Sequence, residues 1–132
     1  MKRLILIFIF LVVCRILPAP GYSTLCIIQP QEINEYERLI NAVTWVESRH
    51  GRYVYNADEN AVGWFQIREI RVKHYNKLRG TNYVLEDFYD YELSREMFLY
   101  FAVGKSYEKA ARNWNGRWKL TSGYWKKVRD NL

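Results

Sequence analysis

The fold is decided by INEYERLINAVTWVESRHG, residues 33–51. Apolar side chains recur there at intervals of three and four positions, which is the spacing of a helix with one buried stripe. They are Ile33, Tyr36, Leu39, Ile40, Val43 and Val46. Gly51 comes shortly after the last of them, where a glycine commonly ends a helix. The pattern predicts an amphipathic helix from Ile33 to Arg49 that ends by position 51.

Shorter helices are predicted along the rest of the chain. Three of them begin at a residue whose side chain can cap a helix. These candidate caps are Asp90, Ser106 and either Thr121 or Ser122. The predicted ranges are about 67–78 with a stop at Gly80, then 90–102, 106–114 and 121–129. We therefore expect a mainly α fold of short packed helices.

The stretch from Arg52 to Ala61 lacks helical periodicity. It contains Asn56, Asp58 and Asn60, residue types that favour turns, so we predict a loop or a small hairpin beside Glu47. The chain has 132 residues, which is enough for one hydrophobic core and too few for two. A single domain with one site is the expectation.

The N-terminus has the pattern of an export signal. Lys2 and Arg3 precede an apolar run from Leu4 to Val13, which is too short to span a bilayer as a free-standing helix. Gly21 and Ser23 are small residues suited to a cleavage site, although Pro18 and Pro20 leave the exact bond open. We predict a signal peptide at 1–23 and a mature domain at 24–132, exported to the periplasm or cell envelope. An uncleaved anchor is the alternative; after cleavage we expect no stable membrane span.

The mature domain is only mildly basic. Removing residues 1–23 takes away three positive charges and no negative one, so the formal net charge falls from +6 to +3. Lysines and arginines are scattered from Arg38 to Arg129 with acids between them, which argues against a nucleic-acid surface. Only Cys26 remains, so an intrachain disulfide is impossible. No metal-ligand cluster or nucleotide loop appears; we expect no cofactor, no metal and a monomer.

Glu47 is the candidate catalytic residue. It follows Val43 by four positions and Ile40 by seven, so helical geometry places it on the buried stripe. Burial and the negative end of the helix dipole both favour the protonated acid and raise its pKa. Cleavage of a glycosidic bond needs such a proton donor. The alternative is an ion pair with Arg49 or Arg52 at a frayed helix end.

Three ordered blocks support a catalytic role. The first is Glu47-Ser48, Gly51 and Asn56 followed by AVGWFQI at 61–67; the second is AARNWNG at 110–116; the third is Tyr124, Lys127 and Val128. Together they resemble the lytic transglycosylase and goose-type lysozyme superfamily, over nearly all of the mature chain. The resemblance implies a lysozyme-like domain that cleaves the β-1,4 bond between N-acetylmuramic acid and N-acetylglucosamine in peptidoglycan glycan strands.

The resemblance also implies roles for matching positions. Glu47 would act as general acid and then base. The implied substrate-binding residues are Ser48, Gln66, Trp114, Asn115 and Tyr124, and the implied structural glycines are Gly51, Gly63 and Gly116. Local alternatives exist: Ser48 can satisfy its helix end, Gln66 can cap the next helix, and Asn115-Gly116 can form a turn. Trp64, Trp114, Trp118 and Trp125 are candidates both for lining a sugar groove and for core packing.

Two departures from the family pattern bear on activity. Trp114 stands where many members have Tyr, and an indole offers a donor but no acceptor. Arg117 stands where a second glycine is common. A single glutamate fits a transglycosylase, in which the muramic acid 6-hydroxyl attacks to give a 1,6-anhydro product. Asp58 or Glu59 could instead position water in a hydrolytic lysozyme, and a non-catalytic peptidoglycan-binding module is the third possibility.

Overall fold

The computed structural model describes residues 35–116 and 121–132, and over these residues the predicted mainly α fold is confirmed. The helices are α1 Glu37–Ser48, α2 Glu69–Arg79, a 3-10 helix Leu85–Tyr89, α3 Tyr91–Ala102, α4 Tyr107–Asn115 and α5 Ser122–Arg129. The strands are β1 Tyr55–Asn56, β2 Ala61–Val62 and β3 Ile67–Arg68. Asp90 and Ser106 cap α3 and α4 as predicted, each accepting a backbone N–H.

Helix α1 ends abruptly at Ser48, directly after Glu47. Its apolar stripe is buried, with Leu39, Ile40 and Val43 fully covered. The chain then takes three successive left-handed residues, Arg49 at φ 54°, His50 at φ 55° and Gly51 at φ 77°, which no helix can continue. The predicted stop is therefore confirmed, although residues 33 and 34 of the predicted helix lie outside the described part of the chain.

The predicted loop or hairpin is one part of a three-stranded antiparallel sheet. Val62 pairs with Tyr55 on one side and with Ile67 on the other. The prediction that the second helix begins at Ile67 is wrong, because that residue is in β3 and the helix begins at Glu69. The physical reason lies in Gln66, whose left-handed backbone at φ 49° turns the chain so that Ile67 packs into the core with 1% exposure.

Aromatic packing joins the sheet region to the helices. Phe65, between β2 and β3, stacks on Phe98 of α3 with ring centroids 5.2 Å apart. It also meets Trp114 of α4 edge-on at 6.1 Å. Both phenylalanines are fully buried. This cluster fixes the end of α4 against the chain that follows α1, so the elements carrying the first two sequence blocks converge.

No helix in the described ranges is both long enough and apolar enough to cross a membrane. The predicted signal peptide at 1–23, its small residues Gly21 and Ser23, and Cys26 lie outside the described residues.

Candidate active site

Glu47 lies in a cleft between the sheet region and the end of α4. The cleft has a volume of about 810 Å³, and Glu59, Gln66 and Asn115 line it together with Glu47. A smaller cavity of about 300 Å³ shares these four residues and adds Tyr124. Because the two cavities share these four lining residues, they adjoin each other and form one groove that contains Glu47.

The environment of Glu47 favours its protonated form. Burial, the largest effect, raises the pKa of Glu47 from 4.5 to about 7, and the negative charge of Glu59 adds to the rise. A hydrogen bond from Tyr124 and the positive charge of Arg68 oppose it. The predicted upward direction is confirmed. Glu47 makes no ion pair with an arginine in the described chain, and Arg49 lies over the Trp45 ring at 4.6 Å instead.

Tyr124 is the hydrogen-bond partner of the acid. Its hydroxyl donates to Oε1 of Glu47 at 2.7 Å, across 77 positions of sequence. Burial and the adjacent Glu47 carboxylate raise the pKa of Tyr124 well above its usual value, so the phenol stays a donor. Position 114 holds Trp rather than the Tyr that the resemblance would suggest, yet the acid still has a phenol contact, because α5 supplies one.

Ser48 lies beneath the groove. The residue is 1% exposed, and its hydroxyl donates to the carbonyl oxygen of Trp64 at 2.8 Å while accepting from the N–H of Gly51 at 2.9 Å. These bonds fasten the left-handed turn after α1 to the sheet region. A direct contact between Ser48 and substrate would require this network to open, so the structure favours the local alternative, in which Ser48 satisfies its helix end.

Two of the implied structural glycines are required by close packing. A Cβ on Gly63, at φ 75°, would overlap the carbonyl oxygen of Phe88 in the 3-10 helix. A Cβ on Gly51, at φ 77°, would overlap the Trp64 indole. Both residues therefore combine a backbone conformation that favours glycine with a neighbour that leaves no space.

The side chain of Gln66 is held in place through its amide N–H groups, while its amide oxygen is open to the groove. Its side-chain amide donates to the carbonyl oxygens of Tyr53 and Gly63, each at 3.0 Å. The side-chain oxygen Oε1 of Gln66 has no hydrogen-bond partner among residues 35–116 and 121–132. The residue lines both cavities. A rigidly held amide oxygen in the groove can accept a hydrogen bond from a sugar hydroxyl.

The end of α4 forms the opposite wall. Trp114 is 6% exposed, and its indole N–H donates to the carbonyl oxygen of Phe65 at 3.1 Å, so it is mainly a core residue whose edge reaches the cleft. Asn115 is exposed in the groove, and Gly116 at φ 118° continues the wall. Arg117 and Trp118 lie outside the described residues. Trp64 and Trp125 pack partly buried against the core.

Arg68, Arg71 and His74 line the larger cavity although they were not predicted from the sequence as groove residues, whereas Glu59 was one of the two candidate second carboxylates. Glu59 lines both cavities and pairs with Arg68 at 3.5 Å. Asp58, the other candidate second carboxylate, is absent from both linings. Arg68, Arg71 and His74 are spaced three residues apart, directly after Gln66 and Ile67, and this spacing could have indicated that they share one face. Charged residues at helical spacing usually lie on a face exposed to solvent, so the pattern alone does not predict a site.

Comparisons of the chain with protein-family models, with curated proteins and with solved structures found no match. The resemblance to lytic transglycosylases and goose-type lysozymes therefore rests on the three sequence blocks.

Proposed function

We propose that the protein cleaves the β-1,4 bond between N-acetylmuramic acid and N-acetylglucosamine in peptidoglycan, with Glu47 as general acid and then base. The observation that carries the proposal is the carboxyl of Glu47, which lies in the groove with its pKa raised by burial to about 7. An acid with that pKa is substantially protonated near neutral pH and still gives up its proton readily.

Tyr124 orients the acid for this chemistry. Its hydroxyl occupies Oε1, so the catalytic proton belongs on Oε2, which has no hydrogen-bond partner among the described residues. Oε2 donates that proton to the leaving glycosidic oxygen as the bond to the muramic acid C1 breaks. The resulting carboxylate then removes a proton from the muramic acid 6-hydroxyl as its oxygen bonds to C1. The product is a 1,6-anhydro sugar, and Glu47 ends protonated again.

Hydrolysis is the second candidate, and the position of Glu59 favours it. Glu59 shares both cavities with Glu47, so a water molecule between substrate and the Glu59 carboxylate could attack C1 instead. Arg68 pairs with Glu59 at 3.5 Å. The predicted 1,6-anhydro product remains our first proposal because a single acid suffices for it.

Mass analysis of purified murein digested with the protein separates these reactions. Anhydro ends weigh one water less than reducing ends, and reducing ends alone would exclude the transglycosylase reaction. Glu47→Gln should abolish product formation while preserving glycan binding. The matched control is Glu69→Gln, which removes a carboxylate from the exposed Glu69–Lys73 pair on α2 and should leave turnover unchanged. Equal binding by wild type and Glu47→Gln without any product from either would indicate a non-catalytic binding module.

A further inference from the structure

One end of the cleft carries a positive charge that the protein does not neutralise. Arg68 and Arg71 both line this end, and Arg68 has Glu59 as its ion-pair partner. Within residues 35–116 and 121–132, no carboxylate lies within ion-pair distance of Arg71. The cleft end therefore holds two guanidinium groups and one opposing carboxylate.

Arg71 is held rigidly and is partly removed from water. Its Nη2 donates to the carbonyl oxygens of Asn113 and Trp114 at 3.0 and 2.8 Å. Its guanidinium also packs over the rings of Trp114 at 4.9 Å and Phe101 at 5.1 Å. Burial and then the charge of Arg68 lower the pKa of Arg71. A partly buried cation gains more free energy from pairing with an anion than a cation fully exposed to water does.

Other N–H groups of the same guanidinium remain available. Nε and Nη1 of Arg71 have no hydrogen-bond partner in the described part of the chain. Every buried side-chain nitrogen or oxygen of the described residues does have a partner, so Nε and Nη1 are not buried. These N–H groups are therefore accessible to solvent or to a ligand in the cleft. Each of these N–H groups can donate a charge-assisted hydrogen bond to a carboxylate oxygen.

We propose that this end of the cleft is a subsite for a carboxylate carried by the glycan substrate, bound by the Nε and Nη1 N–H groups of Arg71 with the charge of Arg68 beside it. The inference rests on the proposed function. Two groups on peptidoglycan supply this chemistry: the lactyl carboxylate of muramic acid in strands without peptides, and the carboxylates of the peptide stem. Ile70, exposed at 76%, lines the same end and offers apolar contact to the alkyl part of either group.

Binding of three tetrasaccharides to Glu47→Gln protein tests the subsite without cleavage. The first carries free lactyl carboxylates, the second carries peptide stems, and the third has its lactyl groups converted to neutral methyl amides. Calorimetry at low ionic strength should give at least one acidic form an affinity about 10-fold above that of the methyl amide, as a charge-assisted pair predicts. The acidic form that gains identifies which carboxylate is bound.

Added substitutions locate the preference. Arg71→Gln should abolish it, Arg68→Gln should reduce it several-fold, and Arg79→Gln should leave it intact. Arg79 is the matched control because it lies on α2, pairs with Glu96 at 3.6 Å and has 45% side-chain exposure against 40% for Arg68. Since Arg71 also anchors α4, Arg68→Gln decides the outcome if Arg71→Gln does not fold.

Three results would overturn the subsite. These are equal binding of all three tetrasaccharides, an equal loss of affinity for all three in Arg71→Gln, and a preference unchanged in Arg68→Gln. The proposed function fails separately, when wild-type protein yields no product from murein. If the protein cleaves murein but binds the acid and amide forms equally, the proposed function stands and the proposed subsite is refuted.

Discussion

Glu47→Gln should stabilise the protein at alkaline pH, because glutamine resembles the protonated acid that the fold prefers. Burial raises the pKa of Glu47 from its usual 4.5 to about 7, so between these values the folded state binds a proton that the unfolded state has released. The free energy of unfolding of the wild type therefore falls as pH rises through this window. Glutamine at position 47 removes that dependence.

The size of the effect follows from the difference between the two pKa values. At about 1.4 kcal/mol per pKa unit, wild type should lose about 3 kcal/mol relative to Glu47→Gln between pH 4 and pH 8. The two proteins should have similar stability below pH 4, where Glu47 is protonated in both the folded and unfolded states. Above pH 7 the wild type carries the cost of a buried carboxylate that the variant avoids.

Urea unfolding at a series of pH values measures this difference. The quantity to plot is the free energy of unfolding of the variant minus that of the wild type, because titration of all other groups then cancels. Glu69→Gln, on the exposed surface of α2 and paired with Lys73, should show a difference below about 0.5 kcal/mol. Parallel stability curves for wild type and Glu47→Gln would show that the carboxyl is not desolvated and would refute the reasoning.

Two further predictions concern the partners of the site. Tyr124→Phe removes the hydrogen bond that lowers the pKa of Glu47, so that pKa should rise and the alkaline limb of the pH–activity profile should move up by about one pH unit; an unchanged limb would exclude the bond from catalysis. Gly63→Ala should cost about 3 kcal/mol or more of unfolding free energy, because the added Cβ would overlap the Phe88 carbonyl oxygen. Gly104→Ala, also at φ 75° but in open space, should cost only about 1 kcal/mol.

Local patterns in the sequence were sufficient for the helices and for the acid. The apolar spacing before Val46 predicted a helix with a buried stripe, and the same spacing placed Glu47 on that stripe. Caps at Asp90 and Ser106 were also readable, because a cap depends on residues within three positions of it. The error at Ile67 arose because an apolar residue before a helical pattern can equally belong to a strand, and the left-handed backbone of Gln66 decides between them.

The tertiary structure decided which groups surround the Glu47 carboxyl. Tyr124 reaches Glu47 across 77 positions, Arg68 reaches the Asn115 carbonyl across 47, and no local spacing rule encodes contacts of that range. The choice of Glu59 over Asp58 likewise depends on how the turn between β1 and β2 faces the cleft. The sequence alone determined that a buried carboxyl lies at the end of α1, since helical periodicity is a local property. The sequence also predicted that the pKa of this carboxyl is raised, but the size of the rise, its hydrogen-bond partner and the charges around it depend on packing between distant segments, which exists only in the folded chain.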